Sequence, residues 1–365
     1  MRASVLFEQG KPLSVEELEL EPPRAGEVLV RMAASGVCHS CLHAADGSWK
    51  GVPVPIVLGD EGAGEVVEVG PGVDGLQRGD HVILSWAPTC GRCHYCVIGR
   101  PNLCERRQPG RGVLPDGTTR MSLRGRAVYH YGHVATYASS TVVHESCAIK
   151  IDQSVPLDRA ALIGCSVMTG VGAVINTAAV PPGASMAVFG VGGVGLNVVQ
   201  GAKLAGARTI IACDLLDNKL TYAKTFGATH TINAKRGDVV KQVQALTDGL
   251  GVDAAFDAIG GEAAALQALD AVAPGGRAVL VGIPAFAVRA PISPSNMVWA
   301  EKTISGTYYG SVRPDVDFPI LADLDMDKKL NLDDLISRIY KFDEINEGFR
   351  LLVSGSVARG LIEFD

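Results

Sequence analysis

The chain has 365 residues, enough for about two domains with a buried core each. Hydrophobic residues make up 47% and charged residues 20%, which excludes an intrinsically disordered chain. Lys and Arg number 33 against 39 Asp and Glu, so the net charge is −6; no positive field is available for a polyanion, and nucleic acid is not an expected partner.

From the N-terminus, Met1–Pro12 has no apolar core of signal-peptide length, so no export is expected. The first part of the chain then carries short β-like segments broken by glycine and proline, among them Val28–Met32, Glu65–Val69 and His81–Leu84. The run from Ala160 to Ala202 contains no charged residue and no histidine. A membrane span needs ~20 mostly apolar residues in one helix. Pro181-Pro182-Gly183 cuts this run, so a buried helix followed by a buried strand is expected and a membrane is not a partner.

From about Ser185 the pattern changes to short apolar strands, Met186–Phe189, Thr209–Cys213, Ala254–Phe256, Arg277–Val281 and Thr303–Thr307. Helix-like stretches alternate with them: Leu196–Leu204, Asn218–Phe226, Val239–Leu246 and Glu262–Ala271. Strands that are apolar throughout belong to a parallel sheet covered on both faces, so the fold class is α/β with a doubly wound sheet. After Gly310 the alternation stops; helical stretches and a last strand-like segment, Leu361–Phe364, are expected to return to the first module. The expected division is 1–166, 167–309 and 310–365.

Met186–Phe189 runs into Gly190-Val191-Gly192-Gly193-Val194-Gly195 and then a helix. Strand before and helix after is the context a GxGxxG turn needs: the glycines let backbone N–H groups approach a pyrophosphate at the helix N-terminus. Asp214 ends the next strand, near the ~20-residue distance at which a carboxylate meets the adenosine ribose and repels a 2′-phosphate. NAD(H) is therefore expected rather than NADP(H). Lys219 is either a second ribose contact or an ordinary solvated lysine.

Nine cysteines in a chain without a secretory signal point to a reducing, cytoplasmic setting. Cys90, Cys93, Cys96 and Cys104 lie within one short loop, expected at 88–106, and their spacing lets four sulfurs meet at one tetrahedral centre. Four thiolates leave no open position, so the expected ion is a structural zinc, with an iron–sulfur cluster as the alternative.

These features, together with Gly36-Val37-Cys38-His39-Ser40, Gly59-Asp60-Glu61-Gly62-Ala63-Gly64, Gly164-Cys165, Thr169-Gly170, Val281-Gly282-Ile283-Pro284 and Arg359-Gly360, resemble the zinc-containing medium-chain alcohol dehydrogenases over essentially the whole length. The likeness is strongest to their actinobacterial nicotinoprotein, or nitrosodimethylaniline-dependent, branch. It implies a GroES-like, β-rich catalytic domain joined to a Rossmann domain, and a homodimer or homotetramer joined near Thr303–Thr307. By the same resemblance, Cys38 and Cys165 match two catalytic-zinc ligands, Ser40 and His43 a proton relay, and His39 and Arg359 cations near the pyrophosphate. Thr169 matches a nicotinamide contact, Val281 and Ile283 further cofactor-binding positions, and Trp49, Trp86 and Tyr309 the wall of a substrate pocket.

Two positions depart from the family pattern. Asp60 stands where the family has a zinc-binding histidine, and Cys41 where it has an aspartate that accepts that histidine's second N–H. A carboxylate at 60 has no N–H to donate, so losing the acceptor at 41 is physically coherent. Cys38, Asp60 and Cys165 remain acceptable zinc ligands, with Glu61 or Cys41 as substitutes for Asp60. The expected reaction is NAD-dependent oxidoreduction of a bulky apolar or aromatic alcohol, aldehyde or ketone. The alternatives are a reductase of C=N or activated C=C bonds without catalytic zinc, and a non-catalytic dinucleotide-binding protein.

Overall fold

The computed structural model describes residues 1–106, 112–285, 287–355 and 358–364. They divide into two compact units, Met1–Ser166 with Arg313–Asp365 and Val167–Val312. The expected strands of the first unit are present and longer than their apolar centres: Val28–Met32 lies within Glu27–Gly36, and Glu65–Val69 within Gly62–Val69. These two pair antiparallel, with Val30 opposite Val66 and Ser35 opposite Gly62. On the other side of Glu27–Gly36 lies the last strand, Arg359–Glu363, with Leu361 opposite Gly36. The C-terminal segment thus adds a central strand to the N-terminal unit.

Val28, Val30, Met32, Val66, Val82 and Leu84 form one side of this sheet's core. Each such side chain, fully buried, stabilises by about 1.5–3 kcal/mol. A strand not apparent in the sequence, Ile336–Lys341, runs parallel beside Arg359–Glu363. Tyr340 is the one fully buried residue of these six and Ile339 is itself exposed, so the segment has no apolar alternation to mark it.

The second unit carries a six-stranded sheet in which every pairing is parallel. Its spatial order is His230–Asn233, Thr209–Asp214, Ser185–Phe189, Val252–Asp257, Val272–Leu280, Thr303–Gly306. Numbered along the chain, that is 3-2-1-4-5-6, the doubly wound arrangement whose order reverses beside the first strand. The helices between strands are Gly193–Leu204, Asp217–Phe226, Val239–Ala245 and Glu262–Ala271. Asp238 starts the third by accepting hydrogen bonds from Val240 N and Lys241 N. His230–Asn233 was missed by the apolar pattern because polar residues occupy both ends of this edge strand.

The uncharged run resolves into a helical stretch, Leu157–Ala178, and the Ser185–Phe189 strand. By length and composition alone that stretch could cross a membrane, yet 78% of its most apolar window is buried inside the protein. It is the profile of a core helix.

Candidate active site and nucleotide site

Within the first unit, three segments deliver three donors to one point. The Glu27–Gly36 strand ends just before Cys38, Asp60 directly precedes the Gly62–Val69 strand, and Cys165 lies on the helical stretch. Their ligand atoms lie within 4.8 Å of one another, all three residues are buried, and the two sulfurs are 3.8 Å apart. Two thiols and a carboxylate converging at one buried point suit zinc, so the residues fit the ion. Packing leaves no room for a side chain at Gly36, where a Cβ would lie 2.1 Å from Glu61 Oε2.

The Asp60 carboxylate is hydrogen-bonded on both oxygens. The Ser40 hydroxyl donates to Oδ2, and the Cys41 thiol donates to Oδ1 at 3.5 Å. Burial, and then the nearby Cys38 sulfur, push Asp60 up to about 8. Cys38 is pulled down to about 5, first by its hydrogen bond with Cys165 and then by Arg359, while the same contact raises Cys165. Burial raises Cys41 well above the ordinary thiol range, so it stays a donor. A bound cation reverses this balance, since it favours the anionic form of every ligand.

Glu61, a candidate substitute ligand on sequence grounds, is corrected by the structure: it is not one of the converging donors. Its Oε1 accepts Ser166 N at 2.8 Å and Ser166 Oγ at 2.6 Å, and its Oε2 takes the Arg359 guanidinium. Arg359 thereby has a partner the sequence did not suggest. Tyr131, Tyr137 and Ser166 were also missed. Tyr131 Oη donates to Ser40 O at 3.1 Å, and Tyr137 Oη donates to Gly36 O at 3.2 Å while accepting Cys38 N at 3.4 Å. Together they hold the two ends of the Cys38 turn from about a hundred residues away, a distance no local pattern crosses.

His39 and His43 lie on the short helix His39–Asp46, their rings 6.2 Å apart. His43 packs 5.5 Å from Trp49, and its buried Nδ1 has no hydrogen-bond partner among the described residues. Trp86 stands beside the converging donors: a Cβ on Gly132 would lie 3.1 Å from Trp86 Cβ and 3.6 Å from Asp60 Cβ.

The four thiols of the loop also converge, with Cys90, Cys93, Cys96 and Cys104 sulfurs within 4.8 Å of one another. Backbone N–H groups of Arg92 and Cys93 hold Cys90 down to about 6, and those of Cys96 and Glu105 lower Cys93. Burial instead raises Cys96 to about 12 and raises Cys104, so the loop's amides favour the thiolate at two of the four positions; the convergence of four sulfurs is what fits a closed, four-sulfur zinc.

Within the second unit, Gly190 adopts φ +86° and leads the Ser185–Phe189 strand into the Gly193–Leu204 helix. A Cβ on Gly195 would sit 1.8 Å from Gly190 O, whereas one on Gly192 would meet nothing within 4 Å. Close packing at one glycine and open space at another, ahead of a helix N-terminus, form a cradle for a pyrophosphate. Asp214 ends the neighbouring strand and accepts Val191 N at 3.0 Å, linking the carboxylate to the turn. Val194 follows Gly193 in the first turn of that helix. A Cβ on Gly170 would lie 2.5 Å from both Asn197 Cβ and Val194 O, which brings the neighbouring Thr169 to this helix. Lys219 is half-buried on Asp217–Phe226. Val281 N donates to Asp257 O at 2.9 Å, Ile283 is exposed, and Tyr309 is buried. Asp257, also unanticipated, accepts Ile259 N and Gly260 N, both at 2.9 Å.

Residues 24–153 match the family described as Alcohol dehydrogenase GroES-like domain, and residues 193–324 that described as Zinc-binding dehydrogenase. The chain is 41% identical to S-(hydroxymethyl)glutathione dehydrogenase of Paracoccus denitrificans over 371 residues, 99% of each protein. It is 40% identical to Alcohol dehydrogenase class-3 of Cereibacter sphaeroides, covering 100% of this chain and 99% of that one. Among solved structures, an alcohol dehydrogenase zinc-binding domain protein from Burkholderia ambifaria superposes with a TM-score of 0.96 at 36% identity, over 100% of this chain and 98% of that one. Benzyl alcohol dehydrogenase from Acinetobacter calcoaceticus does so at 0.94 and 33%, over 100% and 99%.

Proposed function

Because the chain belongs to the zinc-containing medium-chain alcohol dehydrogenases, and is thus an NAD(H)-dependent oxidoreductase acting on small molecules, we propose that it interconverts a bulky apolar or aromatic alcohol with its carbonyl, and favours reduction. The observation that carries this reading is the convergence of Cys38, Asp60 and Cys165 within 4.8 Å. Zinc, when bound there, polarises the substrate oxygen, and NAD(H) supplies or accepts the hydride. Three anionic donors quench more of the metal's charge than two thiolates and a neutral imidazole. Deprotonating an alcohol therefore suffers more than activating a carbonyl.

Ser40 donates to Asp60 Oδ2 at rest; in the proposed relay it accepts the substrate O–H proton and gives its own hydroxyl proton onward through the cofactor ribose. His43, three residues on, is the proposed end of the relay; its buried Nδ1 has no hydrogen-bond partner among the described residues. Trp86 beside Asp60 supports an aromatic or bulky substrate, as does the likeness to an enzyme named for benzyl alcohol. Asp214 supports NAD(H) over NADP(H). His39 and Arg359 remain proposed pyrophosphate cations, Thr169 a proposed nicotinamide contact, and Val281 and Ile283 proposed cofactor-binding residues. A homodimer is proposed through the edge strand Thr303–Gly306, next to which Val298 and Trp299 are 76% and 89% exposed. Nine free thiols support a reducing, cytoplasmic setting.

A second reading, reduction of C=N or activated C=C bonds without the catalytic metal, draws support from the hydrogen bonds that already satisfy both Asp60 oxygens. Metal analysis of purified protein separates the two, with two zincs per chain expected for the first and one for the second. Initial rates with benzaldehyde and NADH, and with benzyl alcohol and NAD, are expected to favour reduction at neutral pH. Faster oxidation refutes the reductive bias, and faster turnover of S-(hydroxymethyl)glutathione refutes the aromatic assignment.

A further inference from the structure

We propose that Cys41 is a positioning residue for Asp60, its S–H aiming the carboxylate at the metal that Cys38 and Cys165 also face. The inference rests on the reading of Asp60 as a ligand. Cys41 follows Ser40 in the first turn of the His39–Asp46 helix and is wholly buried. The two side chains reach opposite oxygens of one carboxylate, Ser40 to Oδ2 and Cys41 to Oδ1 at 3.5 Å. A carboxylate held at one oxygen still rotates about its Cβ–Cγ bond; held at both, its plane is set. Each carboxylate oxygen has two lone pairs, so a single hydrogen bond leaves the other for a metal.

The chemistry of the pair is the reverse of an imidazole held by an acceptor. A neutral imidazole ligand has an N–H to give and needs an acceptor behind it; a carboxylate ligand has lone pairs to satisfy and needs a donor. A thiol is a weak donor, but the burial of Cys41 and Asp60 strengthens the contact and makes an unmet carboxylate oxygen costly. A purely space-filling cysteine is the competing account, since buried free cysteines often pack as small hydrophobes. The donor account and the packing account diverge in the Cys41→Ser variant, which keeps a donor, and in Cys41→Val, which keeps volume without one.

The test begins with the zinc stoichiometry of the unaltered protein. A single zinc per chain overturns the ligand reading itself, before any variant is compared. With two zincs present, competition against a chromogenic chelator gives the affinity of the weaker one for the Ala, Val, Ser and Asp variants at position 41. Substitution of cobalt(II) at the site adds a spectroscopic readout independent of turnover. Cys41→Ala and Cys41→Val are expected to weaken that zinc by roughly 10–100-fold and to move the cobalt d–d bands. Cys41→Ser restores most of the affinity and the bands; Cys41→Asp, which sets a second carboxylate beside Asp60, binds more weakly than Cys41→Ala. The four-cysteine zinc is the folding control in the same titration. Unchanged affinity and bands in Cys41→Ala overturn the proposal, as does a Cys41→Ser variant as weak as Cys41→Ala. If Cys41→Ala loses both ions, Cys41→Val decides: full affinity there leaves only packing.

Discussion

The guanidinium of Arg359 forms an ion pair with the carboxylate of Glu61, and the two side chains are 3% and 0% exposed. Glu61 is the neighbour of Asp60, and Arg359 begins the strand that pairs with the end of Glu27–Gly36. The pair therefore ties the last strand to the segment carrying a proposed ligand. Removing one partner of a buried pair leaves an uncompensated charge, at a cost of about 3–5 kcal/mol. Arg359→Leu is expected to lower unfolding free energy by that amount in urea titrations, and a loss within about 0.5 kcal/mol contradicts it. The Arg359→Leu, Glu61→Gln double variant should recover part of the loss, because no charge is then left alone.

Reinstating the family residues at positions 60 and 41 should shift the direction of catalysis. Asp60→His alone supplies an imidazole with nothing placed to accept its second N–H; with Cys41→Asp, that acceptor is present. The double variant is expected to raise the ratio of alcohol oxidation to carbonyl reduction at neutral pH, and the single variant much less. Equal ratios in single and double variants contradict the coupling.

Asp214 carries both a charge and backbone contacts, accepting Val191 N, Leu215 N and Leu216 N. Asp214→Asn removes the charge and keeps one acceptor oxygen, which serves the Leu215 and Leu216 amides or Val191 N but not both sets. Hydrogen bonds to a charged group contribute about 1.5–3 kcal/mol, so KM for NAD should rise about 10–100-fold while NADP is accepted better. An unchanged preference between the two nucleotides argues against a ribose contact.

The four-cysteine loop is expected to hold its zinc independently of the catalytic residues. Cys104, the buried member of the set, is the most informative to change. Cys104→Ser should remove one zinc per chain and lower Tm, whereas Cys38→Ser should remove the other. Metal analysis and thermal melts of both variants check the assignment.

His130 makes a pH prediction away from the metal sites. It is wholly buried, its Nε2 accepts Arg120 N at 3.3 Å, and its Nδ1 has no partner among the described residues. Burial, reinforced by Arg120 and His133, pulls it down to about 3. The unfolded chain binds its proton near pH 6.5, so stability is complete above that value and falls as pH drops toward 3. At about 1.4 kcal/mol per pH unit, roughly 2 kcal/mol is lost at pH 5. The stability gap between wild type and His130→Gln should narrow by that much between pH 7.5 and 5; a constant gap contradicts it.

Much of this protein was readable from short-range pattern. Apolar strands alternating with helices after Ser185 mark the doubly wound sheet, since period and length depend on neighbours in the chain. The glycine turn with Asp214, and four cysteines in one loop, are local in the same sense. The paired departure at Cys41 and Asp60 was equally visible. Spatial convergence was decided only by the folded chain. Cys38 and Cys165 are 127 residues apart, and Glu61 and Arg359 are 298 apart, brought together by strand register and by the return of the C-terminal strand. Which carboxylate turns toward the sulfurs and which toward an arginine was settled by the donors around each. Asp60 meets Ser40 and Cys41, Glu61 meets Ser166 and Arg359, and adjacent residues of like charge take different roles because their buried neighbours differ.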